Sequence, residues 1–244
     1  MCEGTLDAGD VARCGEICVV SFNIRHGMGM DGRVDLARIA GVLAVHSPDV
    51  VCLQEVESRS PRTGFTAQAA RLGALLSMGS YFAPNWSVGP FWQFGNAILS
   101  RLPLHSTWNI RLPSVGEPRG LACALVRWNG VGVVVCSTHW GLNSHERREQ
   151  SEACVEQLAV SGARHIVLCG DLNATPESPE VKSLSASSGL VLADAGALSF
   201  PSSAPSQRID HVLASEHFEA VRVTVAAGDA SDHRPVIVRF QLRT

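Results

Sequence analysis

Apolar residues along this chain follow two rhythms. The stretches "ICVVSFN" (17–23), "DVVCLQE" (49–55) and "HIVLCGD" (165–171) are short, unbroken and β-branched, as expected of buried strands. "FGNAILS" (94–100) and "QRIDHVLAS" (207–215) read as strands too. "LACALVRW" and "VGVVVCSTH" flank Asn129-Gly130, a two-residue hairpin signal. Near the end, Val221, Val223 and Val225, and then Val236, Val238, Phe240 and Leu242, alternate with other residues at period two, marking half-buried strands.

A helical rhythm interrupts the strands. Leu36, Ile39, Ala40 and Leu43 share one face, with Asp35 placed to cap the helix and Pro48 just past its end. Phe65, Ala69, Leu72 and Leu76 mark a second helix. Residues 144–161 predict a third, with Ser144 as its N-cap. Residues 1–15 read as a leader and 16–244 as one domain. Helices mixed with parallel-type and hairpin strands argue for a layered α/β domain with mixed sheets. No glycine-rich phosphate loop opens a helix, so any site must be built from side chains.

Composition narrows the class. The chain has 244 residues, 45% hydrophobic and 18% charged, enough to bury a core without disulfide or metal staples. The net charge of −3 lacks the strong basic bias of a dedicated nucleic-acid binder. Lys182 is the only lysine. Arg25, Arg59, Arg62, Arg101, Arg111 and Arg119 remain available for local contacts to phosphates. No window is long and apolar enough to span a membrane, and the first residues carry no secretory apolar region, so the expected location is cytoplasmic. Of eight cysteines, Cys52, Cys136 and Cys169 lie in apolar runs and read as core thiols. Cys14-x-x-x-Cys18 lacks the second pair of a zinc site.

The apolar runs stop at polar residues capable of chemistry. Asn23 ends the first, Gln54-Glu55 the second, His139 the long hairpin strand, and Asp171 and Asn173 close "IVLCGDLN". Asp210 sits within a strand, and Asp232-His233 precede the last one. Each alone reads as a turn or cap. Together they are an oxygen-rich set suited to a hard cation, Mg²⁺ or Mn²⁺, rather than to zinc. The aromatic stretch "NWSVGPFWQF" places Trp86, Phe91, Trp92 and Phe94 between strands. It reads either as core packing or as a rim that stacks on a base or touches a lipid.

Seven stretches, "SFNIRHG", "LQEV", "GNAILSR", "STHW", "GDLNATP", "RIDHVLAS" and "SDHRPV", resemble in order the motifs of the endonuclease/exonuclease/phosphatase superfamily. The resemblance spans Ile17 to Phe240 and is strongest to a compact bacterial-type branch of metal-dependent phosphohydrolases, related to sphingomyelinase-like proteins and to domains linked with GPI-lipid remodelling. It implies a DNase I-like, four-layer α/β sandwich, with two mixed β-sheets packed face to face and helices outside. By the same resemblance, Glu55, Asn23 and Asp232 belong to the metal site, and His233 and Asp210 form the catalytic pair. Asp171 and Asn173 position water and phosphate, His139 contacts phosphate, and Asn96 and Arg119 lie near it. Trp92 is the aromatic candidate for substrate contact.

The implied reaction is hydrolysis of a phosphodiester or phosphomonoester by in-line attack of water, with Mg²⁺ or Mn²⁺ as cofactor. The substrate class is a small molecule or lipid headgroup, with DNA or RNA as the alternative. A catalytically idle binding module is the alternative from another class. No partner protein is indicated.

Overall fold

The computed structural model describes residues 15–89, 91–193 and 196–243. Its strands are β1 (Ile17–Asn23), β2 (Val50–Ser58), β3 (Gly79–Val88), β4 (Trp92–Ser100), β5 (Leu104–Leu112), β6 (Arg119–Trp128), β7 (Val131–His139), β8 (His165–Asp171), β9 (Leu190–Leu192), β10 (Asp210–Ser215), β11 (Phe218–Val225) and β12 (Val236–Leu242). The α-helices are α1 (Leu36–Ala44), α2 (Gln68–Leu76), α3 (Ser144–Ser161) and α4 (Pro179–Ser188). The strands form two six-stranded mixed sheets, ordered β11-β12-β1-β2-β4-β3 and β5-β6-β7-β8-β10-β9.

Why the chain makes four layers is visible in strand periodicity. On β1, Ile17 and Val19 face the second sheet, in one apolar cluster with Val135, Val167 and Cys169. The alternate residues Cys18, Val20 and Phe22 face outward, against Ile39 and Leu43 of α1 and Leu72 of α2. The second sheet does the same, with Cys136 and Leu168 packed outward against Cys154 and Leu158 of α3 and Leu184 of α4. Strands covered on both faces need unbroken apolar sequence, which is why these runs lack polar alternation. This is the expected four-layer sandwich.

Each sheet contains one parallel pair, β1 with β2 and β7 with β8. The strands β12 and β10 run antiparallel to β1 and β8. Parallel strands therefore end, and their antiparallel neighbours begin, at the same edge. The last residues of β1, β2, β7 and β8 and the first of β10 and β12 share one rim.

Several local expectations hold. Asp35 caps α1 by accepting from Ala37 N and Arg38 N at 2.9 and 3.1 Å. Asn129 and Gly130 adopt φ of 47° and 81°, the left-handed pair that closes the β6–β7 hairpin. Others are corrected. The cap of α3 is Asn143, whose side chain accepts from His145 N at 2.8 Å, and Ser144 is the first helical residue. Phe65 precedes α2 with φ of 57° and is exposed, so the loop geometry takes it off the helix face. The aromatic stretch "NWSVGPFWQF", expected to lie between strands, instead falls largely within the β3–β4 hairpin. Strands β5 and β9 and helix α4 were not apparent from the apolar pattern. β5 is a sheet edge with several exposed positions, and α4 is rich in serine. Cys14 lies outside the described residues. Cys18 is buried, and its thiol donates to His46 O at 3.6 Å.

Candidate active site

Beneath the rim, polar side chains join the sheets. Gln54 Nε2 donates to Ser137 Oγ at 3.0 Å, and Ser137 Oγ donates to Leu53 O at 3.2 Å. Asn96 Nδ2 donates to Gly120 O at 3.0 Å, so in this arrangement it holds the opposite sheet from below the rim. These bonds offset much of the cost of burying the groups, although Gln54 Oε1 is left without a partner.

Asp171 is the hub above this floor. Its Oδ2 accepts from Asn23 Nδ2 at 3.0 Å and lies 3.4 Å from His139 Nε2 and 3.6 Å from His233 Nε2. Its Oδ1 accepts from Asn173 N at 3.0 Å, with Asn173 at φ of 47°. Gly170 lets Asp171 sit here, because a Cβ at that position would lie 2.4 Å from Thr138 O on the parallel neighbour β7. Burial, with the Asp210 charge behind it, pushes the Asp171 carboxyl up to about 7.

His233 lies between two acids. Its Nδ1 is 2.9 Å from Asp210 Oδ2, and its Nε2 is directed to Asp171. Burial opposes a charged ring, but the charge of Asp210 and its hydrogen bond, with Asp171 and Asp232 nearby, push His233 up to about 10. Ser231, fully buried, fixes the turn before it by donating to Asn23 O at 2.7 Å and accepting from His233 N at 3.4 Å. Phe200 packs on the imidazole with ring centroids 4.7 Å apart.

His139 is the opposite case. Burial, then the neighbouring Arg119 and His233 charges, hold it well below the ordinary histidine value. Arg119 Nη1 lies 2.9 Å from its Nδ1. A guanidinium only donates, so Nδ1 is the acceptor and the proton of the neutral ring sits on Nε2, facing the site. The 3.2 Å contact from Asn173 Nδ2 to that Nε2 then joins two donors, and the amide hydrogen bonds instead to Trp140 O at 2.9 Å. Glu117 pairs with Arg119 at 2.6 Å.

Glu55 sits at an irregularity in β2, where pairing with β4 shifts between Leu53 and Val56. Its φ of 54° is the left-handed conformation that a bulge imposes, and it turns the carboxylate out of the ladder. Asn23 Nδ2 donates to Glu55 Oε1 at 3.0 Å while Asn23 Oδ1 accepts from Arg25 N at 3.0 Å. Burial raises the Glu55 carboxyl, and the nearby Asp232 charge pushes the same way. Asp232 Oδ2 is 3.4 Å from Arg25 Nε.

Two groups here could hold a cation. Asp171, Asp210 and His233 bring donor atoms within 4.8 Å of one another. With the ring raised to about 10, a cation in this group must displace the proton that His233 holds between two carboxylates. Glu55 and Asp232 offer carboxylate oxygens; burial, with the Asp232 charge nearby, makes Glu55 costly to ionise, and a hard cation relieves that cost. This donor set fits such an ion.

His211, next to Asp210, points to the other face of β10 and is buried, with Nε2 2.8 Å from Ala174 O. Trp86, Trp92 and Phe94 line a cleft that also contains Glu55, whereas Phe91 is exposed. Sequence reading passed over Ser231, Glu57 and Glu117. None of the three carried a usable signal, and Glu57 falls just past the expected strand end at Glu55.

Two mixed sheets in a helix-covered sandwich, with carboxylates and imidazoles on one rim, define the DNase I-like class of fold. The chain belongs to the Endonuclease/Exonuclease/phosphatase family, which it matches over residues 20–233. A crystal structure of an endonuclease/exonuclease/phosphatase from Beutenbergia cavernae is 27% identical, with a TM-score of 0.78 over 93% of this chain and 72% of that one. A mannosyl-6-phosphatase from Bacteroides thetaiotaomicron is 18% identical, with a TM-score of 0.76 over 92% of this chain and 99% of that one. TDP2 from Caenorhabditis elegans is 20% identical, with a TM-score of 0.71 over 93% of this chain and 74% of that one. A search of curated protein sequences finds no match. No helix among the described residues is long and apolar enough to cross a membrane.

Proposed function

We propose that the protein is a divalent-metal-dependent phosphoesterase that hydrolyses a phosphomonoester or phosphodiester of a small molecule or lipid headgroup by in-line attack of water. The observation that carries this reading is the chain Asp210–His233–Asp171, with its 2.9 Å and 3.6 Å links, on the same rim as Glu55 and Asp232. Mg²⁺ or Mn²⁺, held by Glu55 and Asp232, would supply positive charge against phosphate oxygens. Asn23, bonded to both Glu55 and Asp171, holds the two carboxylates in relation to each other.

The protonation states divide the remaining work. Asp171, raised to about 7, is poised to accept a proton from water near neutral pH. His233, raised to about 10, carries a proton it can donate to the leaving oxygen or hold against a phosphate oxygen. His139, neutral with its proton on Nε2, is a hydrogen-bond donor fixed by Arg119. Asn173 backs it through Trp140 O.

The single lysine and net charge of −3 favour a small substrate over a long nucleic acid. One fold neighbour is named a mannosyl-6-phosphatase, which agrees with a small phosphoester. The test is hydrolysis of bis-p-nitrophenyl phosphate, p-nitrophenyl phosphate, plasmid DNA and sphingomyelin with Mg²⁺, Mn²⁺ or EDTA, beside H233A. Metal-dependent turnover lost in H233A is expected. Turnover of plasmid DNA alone would move the substrate to nucleic acid, and no turnover of any of them would overturn the reading.

A further inference from the structure

Beside Glu55 opens a cleft of about 490 Å³, within the size range of small-molecule sites. Its walls include Trp86, Trp92, Phe94, Arg62 and His26. Two tryptophans meet edge to face at 5.2 Å with an interplanar angle of 82°. Trp92 is held in place from behind. Its Nε1 donates to Glu57 Oε1 at 3.2 Å, and Arg62 Nε donates to the same oxygen at 2.8 Å while its guanidinium lies 5.8 Å from the Trp92 ring centroid.

Glu57 is fully buried and is itself pinned. Its main-chain N donates to Gln68 Oε1 at 2.9 Å, and Gln68 Nε2 donates to His26 O at 2.6 Å. A buried carboxylate is retained here although an apolar residue would be the cheaper core choice. Its visible effect is to fix Arg62 and Trp92 in one orientation. His26 is nine-tenths buried, adopts φ of 44°, and its Nδ1 has no hydrogen-bond partner. Left-handed non-glycine backbone at His26 and Glu55 borders the same cleft, where strain is expected if the geometry is used.

We propose that this cleft receives the group esterified to the phosphate and selects one that carries a ring with a flat face. The inference rests on the phosphoesterase reading for the position of the phosphate. Aromatic walls recognise ring faces by stacking, and a cleft of limited volume with indole walls favours a compact ring over an extended acyl chain. Arg62 has five N–H donors and directs Nε and Nη2 to Glu57, which leaves others for an oxygen or nitrogen on the ring. Trp92 and Phe94 contact the ring, whereas Glu57 is a positioning residue acting through Trp92 and Arg62. A sugar and a nucleoside both offer such a face.

Calorimetry with Mg²⁺ present compares benzylphosphonate with hexylphosphonate, which have similar apolar bulk but differ in the ring. The ring compound should bind about tenfold tighter, equivalent to ~1.4 kcal/mol. W92A should abolish that ratio, W92F should retain most of it, and E57Q and the half-exposed R62A should reduce it. Hexylphosphonate affinity should fall less than benzylphosphonate affinity in W92A, E57Q and R62A, so that the ratio, and not the absolute affinity, reads the ring preference. Equal affinities, a ratio unaltered by W92A, or no binding of either compound would overturn the proposal. Glucose 6-phosphate and thymidine 5′-monophosphate, run as competing inhibitors of bis-p-nitrophenyl phosphate hydrolysis, distinguish the two sources of the ring. Hydrolysis lost in H233A but without ring preference defeats this inference alone. Ring preference without any hydrolysis defeats the reaction and leaves the cleft assignment standing.

Discussion

Asp210 Oδ2 sits 2.9 Å from His233 Nδ1 and thereby fixes which nitrogen of the imidazole faces Asp171. The same contact supplies the charge that overcomes burial and pushes His233 up to about 10. Asp210→Asn keeps the shape and removes the charge. In metal-free protein, the His233 imidazole should then titrate well below 10 by NMR. In metal-loaded protein, kcat should fall by ~10²–10⁴ with the fold intact by circular dichroism. A His233 titration unchanged in D210N would separate the two residues.

The same raised value has a stability consequence of defined sign. A histidine ordinarily near 6.5 and raised to about 10 in the fold stabilises it fully below 6.5. That contribution is lost as pH rises through 10. The stability gap between the native protein and H233Q, from denaturant unfolding in EDTA, should therefore be widest near pH 6 and shrink toward pH 10. A gap that widens with pH would contradict the assignment of His233 as the protonated partner.

Much of the site was legible because strand ends are where apolar sequence must stop. Asn23, Glu55, His139 and Asp171 each terminate a run, and the two parallel pairs carry those ends to one rim. The four-layer order was legible through the superfamily resemblance, and the unbroken runs of β1, β2 and β8 agree with it. What stayed hidden is whatever lacks a pattern. β5 has many exposed positions, so it reads as a loop. Asn143 and Ser144 are both favoured capping residues, so residue type did not choose between them; the extended ψ of 131° at Asn143 does. Glu57 looks like any acid just past a strand end until Arg62 and Trp92 are seen around one oxygen.

Gly170 tests the strand packing that presents Asp171. Its φ is not left-handed, so the glycine is required by space alone. A methyl group at that position would lie 2.4 Å from Thr138 O, a backbone atom that cannot rotate away. Gly170→Ala should lower stability by ~1–3 kcal/mol, the usual penalty of overpacking. It should also reduce activity by more than the loss of folded protein explains, because Asp171 moves with its neighbour. Unchanged thermal stability and activity would mean that the β7–β8 pair yields more readily than this packing implies.

Asp171 raised to about 7 makes a prediction for the rate profile. A base must be deprotonated to act, so kcat/KM should rise with pH through an acid limb, and a bound cation nearby would draw that limb below about 7. Asp171→Asn should remove the limb and lower kcat by ~10²–10⁴. A variant that kept the limb would assign it to another group.

Glu55 carries the remaining test, because it separates metal binding from proton transfer. Its carboxyl is raised by burial and by Asp232, so in metal-free protein it is costly to ionise. A divalent ion offsets that cost, and binding should release protons at pH values near the raised pKa. Glu55→Gln keeps the hydrogen bond from Asn23 Nδ2 to the Oε1 position but removes the charge. Calorimetric Mg²⁺ affinity should fall at least tenfold, and the metal concentration for half-maximal activity should rise in parallel. D210N should leave Mg²⁺ affinity nearly unchanged while lowering kcat by ~10²–10⁴. If instead D210N loses the metal and E55Q retains it, the cation belongs to the Asp171, Asp210 and His233 group, and the division of roles proposed for the rim is reversed.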